Sequence, residues 1–298
     1  MKHFEQLAII GPTASGKTAL SISLAKQRDA IILSLDSLAI YREIDIVSAK
    51  PTVKEREGIP HYGIDHLHPN EPFDVTTFIN LYKEVCQECT ATEKNLVIVG
   101  GTSFYLKMLL EGVSELPPLS IEQQAEVGLQ MQNSKAVYEK LAKLDPKYMR
   151  QIEHGDTYRI QKAMEIYLAT GQTPGIYFAA NPPKPVIEEP LPIYEILWPR
   201  DALRKRIRLR TKQMLQQGLI DEVIALEKKY TRSPNCMKAI GIKETLAYLD
   251  GIYDKAMLEE KIAVNTGRLA KRQETFNRSQ FKEVIRGELG EIEKMLLQ

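Results

Sequence analysis

The sequence predicts an α/β protein that has a parallel sheet core and an inserted helical domain. Three observations support this fold class. Apolar runs typical of buried strands are followed by segments with helical spacing. A glycine-rich loop joins the first of these strands to the first helix. Proline-rich stretches bracket a block of helical patterns in the middle of the chain, as expected for an insertion.

The first strand, loop and helix are predicted from consecutive stretches near the N-terminus. The apolar run "QLAII" leads into "GPTASGKT", and "TALSISLAKQ" follows with apolar residues at helical spacing. The loop matches the phosphate-binding pattern G-x-x-x-x-G-K-[ST], so the predicted core is P-loop NTPase-like. Backbone N–H groups and the helix N-terminus bind the anion in such loops, while Lys17 neutralises charge and the Thr18 hydroxyl can bind Mg²⁺. The predicted phosphate-binding residues are Gly11, Pro12, Thr13, Ala14, Ser15, Gly16, Lys17 and Thr18.

Two further strands carry polar residues at their ends. "AIILSLDS" reaches Asp36 and Ser37, and "NLVIVGGTSFYLKMLLEG" passes through two glycines and Thr102 into a helix. Ligands collect at the carboxyl ends of parallel strands, so we expect Lys17, Asp36 and Thr102 to converge. P-loop NTPases usually hold Mg²⁺ with an Asp on a later strand, but here that strand ends in Gly-Gly-Thr. This favours Asp36 as a base near a phosphate, with a turn or helix cap as the alternative.

The domain boundaries follow from proline content. "SELPPLS" begins at Ser114 and "NPPKPVIEEPLP" ends at Pro192, and helical patterns lie between them. We therefore expect the insertion at 114–192, with the core formed by 1–113 and 193–298. "IYEILWP" reads as a returning core strand, and long amphipathic helices are predicted from Asp201 onward.

Composition limits the class of protein. The 298 residues are 43% hydrophobic and 27% charged with a net charge of +1, which is ordinary for a globular chain. "MKHFEQLAII" is too short an apolar run for a signal segment or a membrane span, and three cysteines agree with a reducing compartment, so we expect a cytoplasmic location and no membrane partner. Cys86 and Cys89 could hold zinc, but no second pair completes four ligands and residues 76–89 read as a helix. Incidental helix cysteines are the favoured interpretation.

A cation stands out among the basic residues of "RIRLRTKQMLQQG". At ~100° per residue, Arg210 shares an apolar stripe with Leu203, Ile207 and Met214. A guanidinium on an apolar face needs an anion, either a ligand or an acidic core residue in a salt bridge. The cations that point elsewhere are Arg204, Lys205 and Arg208.

A second basic face is predicted in "TGRLAKRQETF". Spacings of three, four and seven residues place Arg268, Lys271, Arg272 and Thr275 on one side of a helix. A solvated charged face is the ordinary explanation. Phe276 nearby, and Lys238 and Lys243 in "KAIGIK", favour a cationic groove for single-stranded RNA, because such grooves combine cations with aromatic platforms.

Seven blocks in order extend from Ile9 to Arg278: "GPTASGKT", "DSLAIYREIDIVSAKPT", "VGGTSFYLKMLLEG", "DTYRIQKAMEIYLATG", "RIRLRTKQMLQQGLIDEV", "KAIGIKE" and "RLAKRQETFNR". Together they resemble the tRNA dimethylallyltransferase family, which prenylates an adenosine beside the anticodon. The resemblance implies that the loop holds the diphosphate of dimethylallyl diphosphate. It also implies that Asp36 accepts the proton of adenine N6, and that Mg²⁺, Lys17, Thr102 and Arg210 stabilise the leaving diphosphate.

The resemblance further implies a tRNA anticodon stem-loop as partner, bound by a chain we expect to be a monomer. The implied tRNA contacts are Asp36, Ser37, Leu38, Ala39, Arg159, Lys162, Lys238, Lys243, Arg268, Lys271 and Arg272. Four features depart from the family pattern, and all are expected on the tRNA side or its approach: Lys162 for an arginine, Ile242 for a tyrosine, Gln124 for an arginine, and "FNR" for an ending that contains Trp.

Three alternative functions remain open at this point. Prenylation of free adenine nucleotides is the sister activity, although the basic helix and the insertion favour tRNA. A P-loop kinase acting on a small metabolite would turn over ATP without a prenyl donor. A non-catalytic RNA-binding module would leave Asp36 and Arg210 without a purpose.

Overall fold

The structure is a computed structural model that describes residues 4–298. Within these residues the chain divides into two compact units. One unit runs to Leu109 and resumes at Ile187–Gln298, and the other is Leu110–Val186. The first unit contains the sheet, and the second is helical.

The strands of the first unit are β1 (Gln6–Ile10), β2 (Ala30–Ser34), β3 (His61–Tyr62), β4 (Asn95–Gly100), β5 (Ile193–Leu197) and β6 (Ile285–Glu288). Its helices are α1 (Lys17–Gln27), α2 (Val75–Thr92), most of α3 (Ser103–Glu111), α9 (Arg200–Gln217), α10 (Leu219–Tyr230), a 3₁₀ turn (Asn235–Lys238), α11 (Ile242–Leu249), α12 (Lys255–Gln280) and α13 (Leu289–Leu297).

The six strands form one sheet in the order β3-β2-β4-β1-β5-β6. Every pair is parallel, as in the registers Ile9↔Val99 and Ile32↔Val97. The prediction of an α/β fold with a parallel sheet is therefore confirmed. Because β1, β2 and β4 are neighbours, their carboxyl ends lie side by side at one edge of the sheet.

Alternating residues of the central strands pack on opposite faces of the sheet. On one face, Ile9, Ile32 and Val97 contact apolar residues of α1 and α13, including Leu24 and Ile292. Residues at the intervening positions of β1, β2 and β4 are also buried, so these strands read as continuous apolar runs. Burial on both faces fixes the strand ends that carry the candidate site.

The helical unit has its own core. It contains α4 (Ile121–Gln130), a 3₁₀ turn (Met131–Asn133), α5 (Ser134–Leu144), α6 (Pro146–Met149), α7 (Thr157–Thr170) and α8 (Pro174–Ala180). Ser120 begins α4 with a capping box, in which its side chain and that of Gln123 satisfy each other's backbone N–H groups. Leu141, Met149 and Ile160 are fully buried in this unit's hydrophobic cluster.

Two further observations concern the membrane and metal expectations. No helix among the residues described combines the length and apolar character needed to cross a bilayer. Within residues 4–298 no group of three or more His, Cys, Asp or Glu side chains is arranged to hold a metal ion. Cys86 and Cys89 lie on α2, which matches the helix predicted there, and Cys89 is buried.

Candidate active site

The glycine-rich loop connects β1 to α1. Gly16, immediately before the helix, has a φ of +95°, in the left-handed region that glycine adopts most readily. A Cβ at this position would lie 2.9 Å from Leu289 Cδ2. No side chain caps the N-terminus of α1. The N–H groups of the first turn, with the positive end of the helix dipole, can therefore face an anion.

Lys17 places its ammonium inside the curve of this loop. Nζ donates to the carbonyl oxygens of Gly11 at 2.9 Å and Pro12 at 2.6 Å, and to Ser15 Oγ at 3.2 Å. Burial lowers the pKa of Lys17 to about 7, helped by the positive charge of Arg210 and partly opposed by Asp36. Its proton is therefore held weakly unless an anion lies close to it.

A cavity of about 600 Å³ opens beside the loop. Its lining combines residues predicted for both substrates. On the predicted diphosphate side the lining residues are Thr13, Ala14, Asp36, Thr102 and Arg210, and on the predicted RNA side they are Ser37, Leu38, Lys238, Lys243, Arg268 and Arg272. The structure thus brings members of both predicted groups to one cavity, although Lys17, Thr18 and the rest of the loop do not line it.

Asp36 follows β2 at the cavity wall. Its Oδ1 accepts hydrogen bonds from the backbone N–H groups of Leu38 at 2.8 Å and Ala39 at 3.1 Å, so the carboxylate caps its own turn. Its Oδ2 accepts no hydrogen bond from the described residues. Turn cap and base are therefore compatible, because one oxygen orients the group and the other remains available.

Arg210 lies on the inner face of α9, as the periodicity predicted. Leu203 and Ile207 on the same stripe are 4% and 3% exposed. Arg210 Nη1 donates to Thr13 Oγ1 at 3.3 Å, and the guanidinium forms no ion pair with a carboxylate in residues 4–298. Burial lowers its pKa, and the negative charge of Asp36 opposes this shift. The alternative of a salt bridge within the core is not formed.

Several side chains that the sequence did not predict bond to the backbone of the loop. Trp198 Nε1 donates to the Ser15 carbonyl at 2.9 Å, and Arg206 Nε donates to the Ala14 carbonyl at 2.8 Å. The Arg206 guanidinium also stacks 4.5 Å from the centre of the Trp198 ring. Gln273 on α12 accepts from the Thr13 N–H and donates to the Gly101 carbonyl, each at 3.0 Å. Side chains from the end of β5, from α9 and from α12 thus bond to the backbone of the loop.

Glu222 on α10 was also missed. Its carboxylate accepts from the backbone N–H groups of Asp45 at 2.9 Å, Ile46 at 2.7 Å and Val47 at 3.0 Å. Val47 and Ser48 line the cavity, so this carboxylate anchors one of its walls. The only signal in the sequence was an acidic residue early in a helix, which is common at any exposed helix N-terminus.

The remaining residues predicted to contact RNA have varied surroundings. Lys271 is exposed on α12 but does not line the cavity, and Ala39 is 3% exposed. Arg159 and Lys162 lie on α7 in the helical unit, where they pair with Asp156 at 3.5 Å and Glu165 at 2.8 Å respectively. Ala39 therefore offers RNA little side-chain surface.

The four departures from the family pattern, which we expect on the RNA side or its approach, differ in exposure. Ile242 is 0% exposed, because α11 turns it into the core. In "FNR", Asn277 is also 0% exposed, and its amide donates to Glu195 Oε1 at 2.9 Å. Gln124 is a surface residue of α4.

Comparison with known proteins identifies the family. The model of the IPP transferase family matches residues 39–280. The chain is 62% identical over 293 residues to a tRNA dimethylallyltransferase of Sulfurovum sp. (strain NBC37-1), covering 98% of this chain and 97% of that protein. It is 54% identical over 292 residues to a tRNA dimethylallyltransferase of Sulfurimonas denitrificans, covering 98% of each.

A solved structure agrees with these relatives. The full-length tRNA isopentenylpyrophosphate transferase from Bacillus halodurans matches with a TM-score of 0.70 and 30% identity, over 99% of this chain and 96% of that chain. The family model spans most of the sequence, and the relatives match it almost end to end. The chain therefore belongs to the IPP transferase family.

Proposed function

We propose that this chain is a tRNA dimethylallyltransferase. It transfers the dimethylallyl group of dimethylallyl diphosphate to N6 of the adenosine adjacent to the anticodon, and it releases diphosphate. The observation that carries this proposal is a cavity lined by Asp36 and Arg210, by Thr13 and Ala14 of the phosphate loop, and by basic residues of α12. The relatives named above bear this activity in their names.

The transfer needs a base, because the N6 lone pair of adenine is delocalised into the ring. As N6 attacks C1 of the donor, the N6–C1 bond forms and the C1–O bond breaks, and the electron pair leaves with diphosphate. Asp36 Oδ2 accepts the proton that N6 loses. The hydrogen bonds from Leu38 and Ala39 to Oδ1 hold the carboxylate in place for this step.

The leaving diphosphate gains negative charge, and the loop side of the cavity supplies positive groups to stabilise it. Lys17 and the N-terminus of α1 bind the anion, and Arg210 reaches the same loop through Thr13. Thr102 lines the cavity after β4 and contributes a hydroxyl donor. A partly buried guanidinium that lacks a carboxylate partner among the described residues is suited to an anionic ligand.

We also propose Mg²⁺ as a cofactor. The Thr18 hydroxyl is exposed in the first turn of α1, and it makes no hydrogen bond to the described residues. One protein oxygen, completed by diphosphate oxygens and waters, is a donor set that suits Mg²⁺. The ion, when bound, would neutralise charge on the leaving group.

On the RNA side, the target base must leave its stack to reach Asp36. Lys238, Lys243, Arg268 and Arg272 line the cavity and are exposed, so they can contact the phosphates of the anticodon loop. Cytoplasmic location and a monomeric state stay predictions.

One experiment separates the proposal from its alternatives. The protein is incubated with Mg²⁺ and labelled dimethylallyl diphosphate, with bulk tRNA, adenine mononucleotide or no acceptor. A parallel sample contains Mg²⁺ and ATP without donor, and tRNA binding is measured separately. We expect label in tRNA alone. Label in the mononucleotide would support the sister activity, ATP hydrolysis without donor would support a kinase, and tight tRNA binding without transfer would support a non-catalytic module.

A further inference from the structure

We propose that Gln273 is a positioning residue, which holds the phosphate loop at a fixed distance from the end of β4. The inference rests on the proposed function, because that function assigns both elements to the leaving diphosphate. The side-chain amide uses both ends: Oε1 accepts from the backbone N–H of Thr13, and Nε2 donates to the carbonyl of Gly101, each at 3.0 Å.

The two partners belong to the ends of neighbouring strands. β1 and β4 pair in register up to Ile10↔Gly100, and the chain leaves the sheet immediately afterwards at both places. A backbone N–H only donates and a carbonyl oxygen only accepts, so a single orientation of the planar amide satisfies both bonds. One rigid group therefore sets the spacing between the loop and the residue before Thr102.

A second observation shows that the backbone is shaped around this amide. A Cβ on Gly101 would lie 2.4 Å from Gln273 Nε2, well inside contact distance. Any other residue at position 101 would push the amide away. Because this amide is the end of a flexible side chain, it would move, and its bonds to Thr13 and Gly101 would be weakened or lost.

Each end of the bridge leads to a group placed at the diphosphate. Thr13, bonded through its N–H to Gln273, accepts through its side chain from Arg210 Nη1 at 3.3 Å. Gly101 precedes Thr102, which lines the cavity. Gln273 also lines the cavity, but the bonds of its amide to Thr13 and Gly101 assign its effect to the placement of Arg210 and Thr102.

The first test removes the bridge. Gln273→Ala and Gln273→Met, which is similar in length and has no amide, should lower the single-turnover transfer rate at saturating tRNA by about tenfold or more, since small misplacements of reacting groups are costly. The affinity for tRNA and its salt dependence should stay at wild-type values. Gln216→Ala, an exposed glutamine on α9, is the matched control and should transfer at the wild-type rate.

The second test uses Gln273→Glu and has a readout that a merely structural role would not move. The ionised carboxylate can accept from Thr13 N–H but repels the Gly101 carbonyl, whereas the protonated carboxyl can donate to it. The rate of this variant divided by the wild-type rate should therefore rise several-fold as pH falls from about 8 to about 5. The rate of Gln273→Met divided by the wild-type rate should not change with pH. The other charged groups around the bridge, which the wild type and all variants share, are Asp36, Lys17, Arg210, Arg272 and Glu274.

The outcomes separate this inference from the proposed function. A wild-type protein that transfers no label to tRNA would overturn the proposed function, and this inference with it. An active wild type, together with Gln273→Ala and Gln273→Met at the wild-type rate, would overturn the positioning role alone. A rate of Gln273→Glu, relative to wild type, that does not change with pH would also overturn the positioning role.

Discussion

Arg210 Nη1 donates a hydrogen bond to Thr13 Oγ1 at 3.3 Å, which joins α9 to the phosphate loop. The two residues are 197 positions apart in the chain. Neighbouring cations on the same helix, such as Arg204 and Arg208, are exposed instead. The helix thus carries one partly buried cation, which we propose for the diphosphate, beside cations at the surface.

The partly buried Arg210 on α9 and the exposed Lys271 on α12 predict opposite effects for two cation-to-alanine changes. Arg210→Ala should lower the single-turnover rate by about 10² to 10³, comparable to the loss of one anion-stabilising donor, and leave the salt dependence of tRNA binding unchanged. Lys271→Ala should weaken tRNA binding and reduce its salt slope by about one unit, with little change in rate at saturating tRNA. Salt titrations of binding beside single-turnover assays measure both. The same pattern in both variants would contradict the assignment.

Asp36→Asn tests the base. The amide can still accept from Leu38 and Ala39 through its carbonyl oxygen, so the fold and diphosphate binding should be retained. It cannot accept the N6 proton, and the transfer rate should fall by about 10² or more. Rapid-quench assays with labelled donor give the rate. Turnover close to that of the wild type would remove Asp36 from this role.

The lowered pKa of Lys17 predicts a pH dependence of donor affinity. The folded pKa of about 7 lies below the ordinary lysine value of 10.5, so in the free protein the charged form is lost as pH rises through about 7. Affinity for a non-reactive thiolo analogue of the donor should fall above that pH, by at most about tenfold per pH unit. Calorimetric titration measures it. Lys17→Arg keeps its charge, so a constant affinity ratio between wild type and this variant would refute the prediction.

A packing prediction concerns the two strands that carry the site. A Cβ on Gly100 would lie 2.6 Å from Leu35 Cβ and 2.9 Å from Leu35 backbone atoms. Gly100→Ala should therefore lower the free energy of unfolding by about 1 to 3 kcal/mol, as overpacking does. Gly128 lies within α4 with open space around it, so Gly128→Ala should be neutral or stabilising by up to about 1 kcal/mol. Urea denaturation compares the two variants.

The central strands were predictable because burial on both faces demands continuous apolar runs. "LAII" and "LVIV" carry that signal, and the helices after them carry helical spacing. The edge strands were not predicted. β3 has two residues, and the residues of β6 read "IRGE" with one buried position, so neither presents a hydrophobic pattern.

Some residues of the candidate site were likewise predictable from the sequence, and others were not. Lys17, Asp36 and Arg210 were predictable, because a loop motif, a strand end and a cation on an apolar stripe are local patterns. Gln273 and Glu222 act on backbone groups more than 170 residues away, and only the folded chain brings these groups together. Arg206 was passed over because it belongs to a run of similar cations, of which the sequence singled out only Arg210.

The hydrogen bond from Trp198 to the Ser15 carbonyl gives the protein an intrinsic optical reporter. Trp198 is the single tryptophan of the chain, so all indole emission arises beside the phosphate loop. A ligand that shifts the loop changes the polarity around the ring and its stacking with Arg206. Fluorescence excited selectively in the indole band should therefore follow occupation of the donor site in real time, without a label and in the presence of tRNA.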